Sequence, residues 1–209
     1  MDSRARVLAI LTRAQLQGLL GPGDPSVHLA HALGFADAAL SRLPRPPARF
    51  ADLGTGGGVP GLVLASEWTE CEAGLVESRV RRCALLRTWV DDLDLTGRVE
   101  VLEGRAEDLA QDPGIRESFD LVTARSFARP AVTAEIAAGL VKSGGLLVVS
   151  EPPDPAPERW PEELLGDLGF AAAVSVEAGG AHYVCVTKIR DAAANVPRKA
   201  GKPAKQPLW

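Results

Sequence analysis

Residues 49 to 61, Arg-Phe-Ala-Asp-Leu-Gly-Thr-Gly-Gly-Gly-Val-Pro-Gly, limit the fold of this chain more than any other stretch. An apolar run closes on Asp52, then Gly54, Gly56 and Gly58 alternate through a turn before Val59-Pro60. Glycines are needed where a backbone takes positive φ or passes close to a ligand. Pro60 suits a first helical turn, where its missing N–H is no loss. The N–H groups at that helix start have no intrahelical partner and would face a bound small molecule. The segment therefore reads as strand, glycine loop and helix. Its spacing is not the dinucleotide one, which needs a third glycine where Val59 stands. A nicotinamide dehydrogenase is disfavoured on that ground.

With 209 residues, 46% of them apolar, the chain can bury one sizeable core. It has no uninterrupted apolar run of the ~18 residues a membrane span needs, and Met-Asp-Ser-Arg-Ala-Arg does not resemble a signal peptide. Cys71, Cys83 and Cys185 are scattered through apolar surroundings and read as core thiols, with neither metal spacing nor a disulfide framework. These features predict a cytoplasmic protein with no membrane contact and no metal. The net charge of −4 is uneven: from Lys188 onward six cations face Asp191 alone, so a body at −9 ends in a segment at +5. Such a tail fits a polyanionic partner such as RNA, and equally a solvated terminus.

Hydrophobic spacing and breakers predict alternating elements. Helices are expected over 4–20 and 26–42, strands over 48–53 and 72–76, and helices over 60–67 and 79–94. In the last of these, Val80, Cys83, Leu86, Val90 and Leu93 form one stripe. Strands at 98–103, 119–124 and 145–150, with a helix at 130–140, continue the alternation. A proline-rich loop at 152–161, a helix at 162–168, and strands near 170–176 and 181–188 joined through Glu177-Ala-Gly-Gly close the chain. The pattern predicts an α/β, Rossmann-like, doubly wound sheet of seven mostly parallel strands with an antiparallel last strand and N-terminal helices. Three regions are expected: a helical extension at 1–47, a catalytic domain at 48–190, and a basic, flexible tail at 191–209.

In such a sheet the ligand lies over the carboxyl ends of the strands. Five places should meet there. One is the glycine loop. Glu77, just past the second strand, suits a ribose diol, the plainer reading being a surface acid. Arg105-Ala-Glu-Asp108 could hold an adenine through Ala106 and Glu107, or simply be acids at a helix start. Thr123-Ala-Arg-Ser126 ends a central strand, and an arginine there must be paired or face a ligand. Ser150-Glu-Pro-Pro153 is the fifth. Arg79, Arg81 and Arg82 oppose the dipole of their helix, so Glu77 and Glu103 or external phosphates must balance them. His28, His31 and His182 read as structural.

The chain resembles the bacterial 16S ribosomal RNA guanine-N7 methyltransferases, the glucose-inhibited division protein B family. The resemblance rests on Asp52-Leu-Gly-Thr-Gly-Gly-Gly-Val-Pro-Gly61, Glu77-Ser-Arg-Val-Arg-Arg82, Gly104-Arg-Ala-Glu-Asp108, Phe119-Asp-Leu-Val-Thr-Ala-Arg-Ser126 and the tail from Pro197 to Leu208. Two segments depart from it. Val27-His-Leu-Ala-His-Ala-Leu-Gly34 stands where the family carries Arg-His-x-x-Asp-Ser, and Ser150-Glu151 stands where it carries Lys-Gly. The resemblance implies S-adenosyl-L-methionine as cofactor and 16S ribosomal RNA or the small ribosomal subunit as partner. It implies cofactor contacts at Gly54, Val59, Ala106, Glu107 and Arg125. Asp52, Gly56, Gly58 and Glu77 join this set from the loop and strand-end readings. Arg125 is also the candidate catalytic residue, in a positioning role. A monomer is expected. The competing readings are a methyltransferase on another substrate and a non-catalytic relative that binds cofactor or RNA.

Overall fold

The computed structural model describes residues 2–153 and 156–209. The first five strands are β1 (Arg49–Leu53), β2 (Glu72–Glu77), β3 (Val99–Glu103), β4 (Phe119–Ala124) and β5 (Val141–Glu151). Of these, the central β1, β2, β4 and the second half of β5 are largely apolar runs buried on both faces, the pattern of parallel strands covered by helices. With β6 (Val174–Ala178) and β7 (Ala181–Thr187) the five form one seven-stranded sheet in the order β3-β2-β1-β4-β5-β7-β6. All pairings are parallel except those of β7, which runs antiparallel to both its neighbours. The chain winds outward from β1 to β3, then returns to β4 on the other side of β1. That reversal makes the carboxyl ends of β1 and β4 the ligand crevice expected of such sheets.

Two helical layers cover the sheet. On one face, α1 (Ser3–Leu16), α2 (Pro25–Leu40), α3 (Gly61–Glu67) and α4 (Val80–Asp92) share a core with the strands. Val7, Leu11 and Phe35 of the first two helices are packed into the same cluster as Phe50, Leu121 and Val148 of the sheet. The expected extension at 1–47 is thus continuous with the core. Asp24 caps α2 by accepting from the Ser26 N–H at 2.8 Å, with Pro25 in the first turn. In α4 the buried stripe is Cys83, Leu86, Trp89 and Val90, while Val80 is 67% exposed on the solvent side of the first turn.

The other face carries α5 (Ala106–Leu109), α6 (Pro130–Ala138) and α7 (Glu162–Asp167). Every residue of α6 from Ala131 to Ala138 is buried. A helix buried all round needs cover on its outer side, and the C-terminal segment supplies it. Here the flexible tail expected at 191–209 is corrected. Arg198 holds the buried Glu135 of α6 through Nε at 2.8 Å and Nη2 at 2.6 Å, and Pro203 of the short α8 (Lys202–Lys205) is buried. Arg116 donates to the Val196 carbonyl at 2.6 Å and the Ala193 carbonyl at 3.0 Å, and Gln111 to the Pro197 carbonyl at 2.6 Å. Lys188, counted among the tail's cations, is fully buried and paired with Glu117 at 3.2 Å. The segment is held by salt bridges and carbonyl contacts that no local sequence pattern displays.

Smaller differences have local causes. The last hairpin turns on Gly179 and Gly180, both at positive φ (56° and 73°), so β6 extends through Ala178. Phe170 lies outside that strand, sunk in the core opposite Lys188. The proline-rich loop expected at 152–161 lies partly outside the described residues.

Candidate functional site

The glycine loop leaves β1 and curls over the strand ends. Gly54, Gly56 and Gly58 have φ of 63°, 53° and 85°, the left-handed region that favours glycine. Thr55 N–H reaches across to the Val76 carbonyl of β2 at 3.1 Å, and Gly58 N–H closes the turn on the Thr55 carbonyl at 2.8 Å. Asp52 braces the curl from beneath. Its Oδ2 accepts from Gly61 N–H at 2.9 Å and its Oδ1 from the Thr123 hydroxyl at 2.8 Å, and it is fully buried. Burial pushes its carboxyl up to about 6, against the pull of those hydrogen bonds. Asp52 therefore shapes the loop and does not line the cleft. Gly58 has the same place, since a Cβ there would lie 2.4 Å from Leu62.

Two lobes of one cleft meet at Gly54. The first, about 210 Å³, is bounded by Glu77 at the end of β2, Ala106 and Glu107 at the start of α5, Phe127, Ile136 and Ala204. Glu77 is 5% exposed and accepts from Ser78 and Arg79 N–H groups at 2.8 and 2.9 Å. Arg82 adds a contact at 3.4 Å, so one of the three arginines opening α4 is balanced inside the molecule. Glu107 accepts from Gly201 N–H at 2.9 Å and from Arg105 at 3.0 Å. Burial alone would lift its carboxyl, but these donors outweigh it and hold it below the usual range. The Ala106 N–H belongs to a first helical turn and has no intrahelical partner.

The second lobe, about 280 Å³, lies between the glycine loop, with Gly56 and Val59 in its wall, and the α1–α2 turn, represented by Leu20 and Gly21. Arg125 reaches into it from the end of β4. Its Nη2 lies 3.1 Å from His28 Nδ1, and its Nη1 is buried without a hydrogen-bond partner among the described residues. His28 Nε2 lies 3.1 Å from the Gly21 carbonyl, which can only accept, so Nε2 carries the proton and Nδ1 accepts from Arg125. The arginine is therefore not carboxylate-paired: it is tethered through Nη2 on one side, with Nη1 buried and free on the other. Ser126, next along, holds a left-handed φ of 51°, uncommon for a residue with a side chain. Phe127 then sits over Gly54, where a Cβ would meet its ring at 2.7 Å.

The structure thus brings Gly54, Gly56, Val59, Glu77, Ala106, Glu107 and Arg125 to one cleft, and leaves Asp52 and Gly58 beneath it. Ser150 and Glu151 line a third hollow adjoining Phe127. There Glu151 is paired with Arg159 at 2.6 Å and accepts from Trp160 Nε1 at 3.2 Å. Sequence reasoning missed His28, Phe127 and Ala204. An aromatic side chain in the polar turn after Arg125 was a readable signal for Phe127; the other two arrive from distant segments. A larger cleft of about 330 Å³ opens at the opposite, amino ends of β1 to β3, where Arg98 is spent on the Ala65, Trp68 and Cys71 carbonyls. Among the described residues no group of His, Cys, Asp and Glu is placed to hold a metal ion, and no helix is long and apolar enough to cross a membrane. All three cysteines are free and buried.

His31, one turn beyond His28, packs against Phe35 and Tyr183 with centroids 5.6 Å away in both cases. Burial, with the Arg125 charge adding to it, pushes its imidazole down to about 4. The unfolded chain takes up this proton near pH 6.5 and the folded one does not until about 4, so stability falls as pH drops through that window. Asp52 works in the opposite sense, its contribution being lost as pH rises through about 6. His31→Phe removes the first contribution and leaves the second. The variant should lose less stability than wild type between pH 6.5 and 4, by on the order of 2 kcal/mol, in paired denaturant titrations. Equal losses would refute this.

Solved structures with the same architecture include the O-methyltransferase from Bacillus cereus in complex with SAH, with a TM-score of 0.61 and 15% identity over 90% of this chain and 92% of that one. The O-methyltransferase TomG from Streptomyces achromogenes, in complex with SAM, has a TM-score of 0.55 at 18% identity over 87% and 90%. These likenesses show the fold, that of the class I methyltransferases. Sequence gives more. The ribosomal RNA small subunit methyltransferase G of Desulfitobacterium hafniense is 37% identical over 77% of this chain and 70% of its own length. Its namesake from Rubrobacter xylanophilus is 32% identical over 100% of this chain and 82% of its own length. A family model described as rRNA small subunit methyltransferase G matches residues 20–152, a span that holds the α1–α2 turn, the glycine loop, Glu77, Glu107 and Arg125. All the cleft residues named above except Ala204 lie in the segment the family shares, and this chain belongs to the rRNA small subunit methyltransferase G family.

Proposed function

We propose that this protein transfers the methyl group of S-adenosyl-L-methionine to N7 of a guanine in 16S ribosomal RNA. The observation that carries the reading is the two-lobed cleft joined at Gly54, with buried carboxylates in one lobe and a half-free arginine in the other.

The residues fit such a donor. A flat ring suits the lobe walled by Phe127, Ile136 and Ala204, and Glu77 stands where a ribose diol would need an acceptor. The curled loop offers backbone at Gly54 and Gly56, where side chains would intrude, to the amino-acid end. When bound, the donor supplies a methyl group activated by a sulfonium centre. Guanine N7 attacks with a lone pair it already has, so the chain needs no general base. What remains is alignment, holding the two reactants about 3 Å apart and in line. Arg125 serves that task through its unpartnered Nη1–H, which favours an anionic or carbonyl oxygen, whether a carboxylate, a phosphate or the base's O6.

Two features favour RNA as the substrate. Lys199, Lys202 and Lys205 are exposed beside the cleft. Glu151, in the pair that stands where the family carries Lys-Gly, is neutralised by Arg159. A substrate in ribosomal RNA fits the expectation of a cytoplasmic protein. Small-subunit RNA from a strain lacking this gene should be missing one N7-methylguanosine by nuclease digestion and mass spectrometry, and a plasmid copy should restore it. An unchanged modification pattern would count against the reading.

A further inference from the structure

The C-terminal segment, expected to be a mobile arm for RNA, is docked against the first lobe. Gly201 N–H donates to Glu107, whose neighbour Ala106 lines the same lobe, and Arg198 clasps Glu135 on the α6 helix that forms another of its walls. Pro197 is seated so closely against α6 that a Cβ at Gly139 would meet it at 2.5 Å. Just beyond these anchors α8 brings Ala204 to the edge of the lobe. The first lobe is therefore built from six places in the chain: Gly54 of the glycine loop, the ends of β2 and β3, the turn at Phe127, the α6 helix and the C-terminal segment.

We propose that residues 201–205 form a wall of the donor pocket, Ala204 bounding the space taken by the adenosine part, so that the C-terminal segment serves cofactor retention as well as RNA. The inference rests on the functional reading above. Glu107 is the joint: one carboxylate ties the β3–α5 corner to Gly201, so displacing the segment also frees an acceptor inside the pocket. Lys199, Lys202 and Lys205 of the segment are exposed. Residue 204 must be small for this arrangement to leave room in a lobe of about 210 Å³.

Titration calorimetry with S-adenosylhomocysteine tests it. Ala204→Phe places a ring at an exposed position, where folding tolerates it, yet intrudes on the lobe. It should bind roughly tenfold or more weakly than wild type, equivalent to about 1.4 kcal/mol, with an unchanged melting temperature, while Ala204→Ser binds as wild type does. A second measurement needs no variant: saturating S-adenosylhomocysteine should slow tryptic cleavage after Lys199 and Lys205 several-fold, as ligand binding protects segments it orders. Unaltered affinity in Ala204→Phe, or cleavage indifferent to the ligand, overturns the wall while leaving the functional reading in place. No uptake by the wild-type protein overturns both.

Discussion

Arg125→Ala should give a folded protein that transfers methyl groups roughly 10²-fold more slowly, the loss typical of removing one preorganised donor from a reacting centre. The guanidinium has two faces in this cleft. One is committed to His28 Nδ1 at 3.1 Å, and the other, Nη1, is buried without a partner. A buried donor left unmade is costly, so the arrangement is best satisfied when an oxygen of a ligand fills the lobe. Alanine removes that contact and strands the His28 acceptor, but touches neither the Asp52 brace nor the first lobe. Donor affinity should therefore fall less than turnover, by about tenfold or under. Arg125→Lys should not rescue, because a single ammonium cannot reach His28 and the ligand together in the planar geometry arginine provides. Single-turnover transfer and calorimetry on the same preparations separate the two effects. Full methylation with full donor affinity in Arg125→Ala would remove the arginine from the account.

Arg198→Ala should cost about 3 kcal/mol of stability, the lower end of what breaking a buried ion pair costs. Glu135 is 1% exposed, and both its oxygens accept from Arg198, at 2.6 to 2.9 Å through the side chain and main chain. The arginine itself is 21% exposed, so water reaches part of the vacated site, which argues for the lower figure. Removing the cation leaves a carboxylate inside a helix that is buried on all sides. Replacing both partners at once, as in Arg198→Met with Glu135→Met, should recover most of the loss, because no uncompensated charge remains. Denaturant melts of the two variants give the comparison. A single variant as stable as wild type would mean the segment's packing does not depend on this pair.

The parts of the fold visible in sequence are those encoded locally. Strands β1 to β4 are short stretches, mostly apolar, that stop at a polar residue or a glycine, so their carboxyl ends, and with them Glu77, Ala106 and Arg125, are legible in the sequence. The glycine loop was readable because positive φ restricts residue type. Asp52 was placed in the site by proximity to that loop, and only the buried bonds to Gly61 and Thr123 show it to be a brace. The tail was misjudged because its order depends on Arg198 meeting Glu135 across 63 residues of chain. His28 meets Arg125 across 97 residues, and no helical periodicity reports such a contact. Composition counted Lys188 as a free cation of the tail, whereas burial and Glu117 consume it.

The most direct test of a cleft that joins methyl donor and ribosomal RNA is transfer itself. Purified protein would be incubated with radiolabelled S-adenosyl-L-methionine and small subunits taken from cells lacking the gene, and the RNA then digested to nucleosides. The account predicts label in N7-methylguanosine of 16S RNA. Label confined to another nucleoside, or none in the RNA while the protein still binds the donor, would contradict it.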